Sequence, residues 1–436
     1  MSSISATEAR ARDVSIAFRA APLPYASAPR ATPAVFHGVV AFAFAAAAAL
    51  AAGCGDTPDD LTPDAGAPLL EAPPAGMGRQ LAMDVVVEPG RETEQCQYVV
   101  VPDTVDIARF EHAYTTGSHH LLLYQTALQP SAVSLDRFDC TGAQFSDLGV
   151  AGIAYAAQVP TGELAYPADV GLRAAAGSVL LVQTHYLNVS ADALTAQVRL
   201  NLWYTPSPAA VEAGTLFFYD WAILVPASQA ATAHMRCNVP GDVNLIFGMS
   251  HMHKRGTDYR AVLEDSASPP SAAPTELFAT TDWQGIEPRR YQPTQAVSAG
   301  SVIDFHCDFQ GEAGRTIVEG PSADANEMCM FIASYYPRLD TPTELCAGPG
   351  SGPVFTGTQA CPTTLTCVRD AGDDAVAAET CLVDTCAASS APAVELMKCV
   401  NFQCGEACAT PGTAACDSCV LSTCSQQFDT CQNSGC

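Results

Sequence analysis

The chain has 436 residues, 48% of them hydrophobic and only 15% charged, with 31 Gly, 31 Pro and 19 Cys. That length fits two or three domains, and the apolar content is enough to build cores, which excludes wholesale disorder. Lys plus Arg total 20 against 46 Asp plus Glu, a formal net charge of -26 with no basic stretch to offset it. This argues against nucleic acid as a partner, because phosphate binding is driven by basic side chains that release counterions.

Arg10, Arg12, Arg19 and Arg30 precede an apolar run from Val39 to Ala52, which ends in Leu50-Ala51-Ala52-Gly53-Cys54. A positively charged start, a hydrophobic segment and a small-residue cleavage site predict a secretory signal over residues 1–53. The run is shorter than the roughly 20 apolar residues that cross a bilayer comfortably. Small residues abutting a Cys resemble a bacterial lipobox, in which the Cys is lipidated and becomes the first residue. Leu50 stands four places before Cys54, where a lipobox has its Leu three before, and ordinary cleavage nearby is the plain alternative. The expectation is an exported protein of the bacterial cell envelope, held to a membrane only by lipid on Cys54, or secreted. The cysteines agree, since cytosolic thiols are kept reduced. With Cys54 lipidated, 18 remain, enough for nine bridges.

Residues 54–78 are rich in Asp, Pro, Ala and Thr and predict a disordered tether. From Arg79 to about Cys346 the texture is all-β: short Val-, Leu-, Tyr- and Phe-rich runs separated by Pro, Gly, Asp and Ser clusters. Val179–Val189, Arg199–Tyr204, Ser301–Phe309 and Cys329–Tyr336 are examples, with no helix-period stretch between them. The length predicts two tandem antiparallel β-sandwiches, residues 79–205 and 206–347, with Thr205-Pro206-Ser207-Pro208 at the junction. Ser266–Pro274 reads as a hairpin loop in the second. Residues 348–436 form a cysteine-rich module, since 361–436 hold 12 of the 19 cysteines. Spacings such as Cys399-x4-Cys404-x3-Cys408 lie near a helical turn and predict short helices stapled by disulfides. A metal site in these cysteines is the alternative, disfavoured because exported thiols oxidise.

The nine histidines are unevenly placed. His119 and His120 are adjacent, after Thr-Thr-Gly-Ser and before a Leu-Leu-Leu-Tyr run; His185 lies mid-strand with Gln183 two residues earlier; His251 and His253 flank Met252. On a strand, residues i and i+2 share a face with Cβ atoms ~7 Å apart, so two imidazoles at that spacing can share one metal. Adjacent residues point to opposite faces, so His119 and His120 could share an ion only at a strand end or twist. Spacing alone fits zinc as well as copper.

The order of the segments says more. SHHLLLY at Ser118–Tyr124, LLVQTHY at Leu180–Tyr186, SHMH at Ser250–His253 and EMCMFIASYY at Glu327–Tyr336 follow one another across two all-β halves. In this the chain resembles the copper type II, ascorbate-dependent monooxygenases, the family of peptidylglycine α-hydroxylating monooxygenase and dopamine β-monooxygenase. DWQGIEPRRYQP and AGSVIDFHCDFQG also resemble the stretch leading to that family's second copper site.

The resemblance implies two mononuclear copper sites, one in each sandwich. His119, His120 and His185 would hold the electron-donating copper; His251, His253 and the thioether of Met328 would hold the copper where dioxygen reacts, with these three as the catalytic set. A thioether beside two imidazoles favours Cu(I). Gln183 would stand near the route between the sites. The resemblance also implies disulfides Cys96–Cys140, Cys237–Cys346 and Cys307–Cys329; at a further family bridge this chain has Thr126, and the partner is absent too. His112, His234 and His306 match no ligand position and read as structural or as supports behind the ligands. Asn188-Val189-Ser190 is a sequon, read as coincidence.

Where the peptide-processing relatives place an Arg for a substrate carboxylate, this chain has Met249; where they use an Asn and a Tyr, it has Met330 and Ile332. An apolar site strands a carboxylate at a cost of roughly several kcal/mol. The expected function is therefore a monooxygenase hydroxylating an activated C–H bond of a small, neutral or apolar molecule with O2 and an external reductant such as ascorbate. The rival readings are a non-catalytic copper carrier and a surface adhesion or scaffold module, for which the fold alone would suffice.

Overall fold

The computed structural model describes residues 68–436 apart from 144, 146, 270, 271, 373, 406 and 409–412. The signal sequence, Cys54 and the tether up to residue 67 lie outside the described residues.

From Gly78 to Pro353 the described residues are mostly β, and strand periodicity explains how each strand sits. In Gly78–Val87 the alternate residues Leu81, Met83, Val85 and Val87 are buried while Ala82, Asp84 and Val86 are exposed, as a strand with one face on a core demands. Gly78–Val87, Leu194–Tyr204, Val105–Tyr114 and Val170–Ala174 make one sheet of the first sandwich, with Thr161–Ala165 also on Val105–Tyr114. Its second sheet has five strands in the order Phe138–Asp139, Glu92–Val100, Val179–Leu187, Ser118–Thr126 and Val150–Ala157.

The second sandwich repeats the plan. Val211–Tyr219, Cys329–Tyr336, Val243–Met252 and Arg289–Val297 form one sheet, and Thr275–Thr280, Gly256–Glu264, Ser301–Gln310, Ala230–Val239 and Gly352–Pro353 form the other. Between them Phe218, Phe331, Phe305 and Tyr259 pack in a chain of ring contacts. Ser266–Pro274 connects Gly256–Glu264 to its antiparallel neighbour Thr275–Thr280.

The two sandwiches are not separate sheets. Val211–Ala213 runs parallel to Val170–Leu172, fusing two half-sheets into a single nine-stranded one. The buried residues of both sandwiches accordingly form one continuous apolar cluster. Arg290 adds a crossing, donating to the carbonyls of Ala165 and Glu163.

Helices Cys361–Ala371, Ala375–Val383, Ala387–Cys404, Ala414–Thr423 and Ser425–Gln432 make up the C-terminal module. It is stapled by Cys361–Cys431, Cys367–Cys381, Cys386–Cys436, Cys399–Cys424, Cys404–Cys419 and Cys408–Cys416. All 12 module cysteines are thus oxidised, which leaves no thiolate there for a metal. Its core of Leu365, Leu382, Leu396, Met397, Val400 and Val420 takes in Trp221 and Ala222 from the second sandwich. Cys96–Cys140, Cys237–Cys346 and Cys307–Cys329 are the sandwich disulfides. Bridges of this number belong to an oxidising compartment, and the protein is of the exported type. Among the described residues no helix is long and apolar enough to cross a membrane.

Candidate metal centre

His120 and His185 face each other across the ladder between Ser118–Thr126 and Val179–Leu187. His119 joins them because the register shifts between Ser118 and His120. The extra residue of a β-bulge breaks strict alternation, so two adjacent imidazoles turn to one side. Gly117 makes the turn into this strand: its φ is +94°, and a Cβ there would lie 2.2 Å from Leu194, a place only glycine fills. Ring centroids stand 5.5 Å apart for His119–His120, 5.2 Å for His119–His185 and 4.9 Å for His120–His185. Their ligand nitrogens all lie within 4.8 Å of one another, a set able to hold one metal ion.

His251 is near the end of Val243–Met252 and His253 follows it. The ladder with Cys329–Tyr336 pairs His251 with Met330 and Met252 with Cys329; the next residue of each chain places His253 opposite Met328. By alternation His251, His253, Met328 and Met330 share one sheet face. The rings of His251 and His253 are 5.2 Å apart, and Met328 is buried.

These two sets are not confined to their own sandwiches. The face carrying His120, Tyr124, Gln183 and His185 turns toward the second sandwich, and His120 stands 6.1 Å from His251. Trp283 of the second sandwich lies edge-on to His119 at 5.8 Å. Five imidazoles therefore form one contiguous cluster at the sandwich interface.

Hydrogen bonds fix which nitrogens are free. His253 Nδ1 faces the carbonyl of Asn326 at 3.1 Å, and a carbonyl only accepts, so Nδ1 carries the proton and Nε2 keeps its lone pair. His185 Nε2 donates to the Glu92 carboxylate at 2.8 Å, leaving Nδ1 free. The hydrogen bond from His185 holds Glu92 below the usual carboxylate range, which keeps it an acceptor. His251 Nδ1 lies 3.1 Å from Gln158 Oε1. Burial pushes His119 and His253 down to about 4, and holds His120 and His251 well below the ordinary histidine value, with neighbouring imidazoles adding to the effect. These rings are neutral at pH 7 and their free nitrogens can accept a cation.

The fit to a metal is tested by His120. Neither of its ring nitrogens has a hydrogen-bond partner, although both are buried. An unmade buried hydrogen bond costs about 1–3 kcal/mol, and a metal ion is the partner a ring among two other imidazoles can accept. The residues present fit copper.

Gln183 is buried one pleat from His185 and accepts from the Tyr124 hydroxyl at 3.2 Å. Around it the interface is apolar: Phe145 packs edge-on against Phe217 and Tyr219, and Tyr124 leans on Phe145. Met249, Met330 and Ile332 are buried on the His251 face. Elsewhere, His112 is held between the Tyr155 hydroxyl and the carbonyl of Val159, and His234 pairs with Asp304. His306 groups with Asp258 and Asp308 on a partly exposed face of the second sandwich. The Asn188 amide is buried and bonded to the carbonyls of Val87 and Asp192.

Four residues of the centre escaped sequence reasoning. Gln158 and Glu92 carry no motif, and Trp283 and Glu327 stood in the DWQG and EMC segments without a role. The Glu327 carboxylate accepts from the backbone N–H groups of His253 and Arg255 at 3.0 and 2.9 Å, tying the Met328 loop to the His253 turn.

Comparison with known proteins bears on the second sandwich. No curated protein sequence matches the chain. Among solved structures, PNGase F, a glycosylasparaginase from Flavobacterium meningosepticum, aligns with 63% of this chain and 99% of that one, at 9% identity and a TM-score of 0.28. The infectious bursal disease virus VP2 subviral particle aligns with 64% and 75%, at 9% identity and a TM-score of 0.16. At such scores neither likeness bears on the chemistry. Residues 212–356, which include His251, His253 and Met328, match the copper type II ascorbate-dependent monooxygenase, C-terminal domain. By that match the second sandwich is similar to the C-terminal domain of the copper type II ascorbate-dependent monooxygenases.

Proposed function

We propose that this chain is an exported copper-dependent monooxygenase that hydroxylates an activated C–H bond of a small, neutral or apolar substrate. The balanced reaction is R–H + O2 + 2e⁻ + 2H⁺ → R–OH + H2O, with the electrons drawn from an external reductant such as ascorbate. Five converging imidazoles, one buried with both nitrogens unpartnered, are the observation that carries the reading. His119, His120 and His185 would hold one copper, and His251, His253 and Met328 the other. Bound copper supplies the one-electron redox steps and the activation of dioxygen.

The chain's own residues do the rest. Burial of the imidazoles and the ring packing of Phe145, Phe217 and Tyr219 exclude water from the reacting face. Met249, Met330 and Ile332 line that face with hydrocarbon and sulfur. Arg255, the nearest guanidinium to His253 in sequence, is engaged by Glu312, Glu327 and the carbonyl of Asn326. Both terminal nitrogens of its guanidinium are thus already occupied and the side chain is buried, which supports a neutral or apolar substrate. In the same reading Cys54 anchors the protein by lipid.

Metal reconstitution tests the proposal. Two coppers per chain and ascorbate-dependent O2 uptake with a hydroxylated product are expected, and Met328→Ala should remove one of two type II cupric EPR signals. Copper loading without turnover on a broad C–H substrate panel would make the protein a carrier. Absence of stoichiometric copper would sink both.

A further inference from the structure

The second ligand set is finished by the first sandwich. Gln158 follows strand Val150–Ala157 of the first sandwich and is buried. Its Nε2 donates to the backbone carbonyl of Ser250 at 3.1 Å. A carbonyl cannot donate, so this bond fixes which end of the amide is which and turns Oε1 toward the ring of His251, 3.1 Å from Nδ1. An amide oxygen only accepts, so Nδ1 must hold the proton and Nε2 must present the lone pair. Among the described residues this is the one hydrogen bond of the His251 ring. His253, by contrast, is oriented within its own sandwich by Asn326.

We propose that Gln158 is a positioning residue that selects the ligating nitrogen of His251 across the sandwich interface, so that the second metal set is complete only when the two sandwiches are docked. The metal part of this inference rests on the copper reading above; the tautomer part does not. Partners of a ligand's second nitrogen fix ring orientation, and their loss costs on the order of 10–100-fold in metal affinity. Gln158 is 93 residues from His251 in sequence, and the join between half-sheets at Val170 and Val211 holds the two in register.

The test uses the full chain in two arms. In the metal-free protein, long-range 1H–15N correlation of the histidine rings, with His251 assigned by its loss in His251→Gln, reads the tautomer directly. Nδ1–H is expected in the native protein, a mixture with Nε2–H in Gln158→Met, and Nδ1–H again in Gln158→Glu, whose carboxylate can only accept. Unchanged signals of His112 and His234 report that the fold persists. In the second arm, Cu(I) competition against a chromophoric chelator is run in a His120→Ala background, which leaves the second set to bind alone. Gln158→Met should weaken that binding on the order of 10–100-fold, and Gln158→Glu should restore most of it. An Nε2–H tautomer in the native protein, or one indifferent to Gln158→Met, overturns the proposal. The tautomers as expected with no copper bound would leave Gln158 in its role and remove the copper reading instead.

Discussion

The ring of His120, in the first sandwich, stands edge-on to that of His251, in the second, with centroids 6.1 Å apart and planes at 88°. A chain of imidazoles thus runs from one sandwich into the other with no intervening residue. His120 pays a cost for its place in that chain, since both nitrogens are buried and unpaired. Replacing it with an apolar residue of similar volume should therefore stabilise the metal-free protein. His120→Leu is expected to raise metal-free stability by about 1–3 kcal/mol, read from the urea midpoint, while abolishing metal binding by the first set. A lower midpoint would mean that the ring is structural.

Trp283 offers an optical report on the first set. Its indole lies 5.8 Å from His119, and the chain has only 3 Trp. The other two, Trp203 beside Arg109 and Trp221 in the module core, belong to other clusters. Cupric ion is paramagnetic and should quench Trp283 as it fills the set. Trp283→Phe is expected to remove most of the copper-induced fluorescence loss without changing copper stoichiometry. Equal quenching in the variant would place the ion elsewhere.

Much of this architecture could be read from the chain because its signals are local. The alternation of Leu81, Met83, Val85 and Val87 announces a half-buried strand, and scarce imidazoles in pairs stand out against a poorly charged sequence. Whether His119 and His120 could face one ion was not local, because the bulge that turns them together exists only in the register with Val179–Leu187. Glu92 and Gln158 were invisible for the same reason: each lies 93 residues from the histidine it holds. The parallel join of Val211–Ala213 to Val170–Leu172 spans three residue pairs and has no hydrophobic pattern of its own. It is nonetheless what makes two sandwiches one body.

The docking of the C-terminal module should depend on pH through Asp220. This carboxyl is fully buried beside Trp221, accepts from the N–H of Ala222 at 3.0 Å, and has no partner for Oδ2. Burial pushes it up to about 7, and Glu379 of helix Ala375–Val383 is raised too, by burial and then by the charges of Glu319 and Asp220. A carboxyl whose folded value exceeds the unfolded one favours the folded state below the unfolded value and loses that advantage as pH rises to the folded value. For Asp220 the window runs from about 4 to about 7 and is worth about 4 kcal/mol. Asp220→Asn, which needs no proton, should gain on the native protein as pH rises from 5 to 8. Parallel urea midpoints across that range would refute the assignment.

Glu327 should prove indispensable to the second set although it binds no metal itself. Its carboxylate is fully buried and accepts three bonds: from the N–H of His253, from the N–H of Arg255 and, at 3.3 Å, from the Arg255 guanidinium. Met328 is the next residue, so the carboxylate fixes the distance between the thioether and the His253 turn. Arg255 keeps Glu312 when Glu327 is removed, so the cost falls on the backbone N–H groups of His253 and Arg255, each left buried without a partner at about 1–3 kcal/mol. Glu327→Ala should lose stability of that order and lower copper from two per chain to one. Glu327→Gln keeps an acceptor and the side-chain volume, so it should lose less stability and retain part of the second-site binding. If both variants bound two coppers with native affinity, the loop would be held by the Cys307–Cys329 disulfide and strand pairing alone.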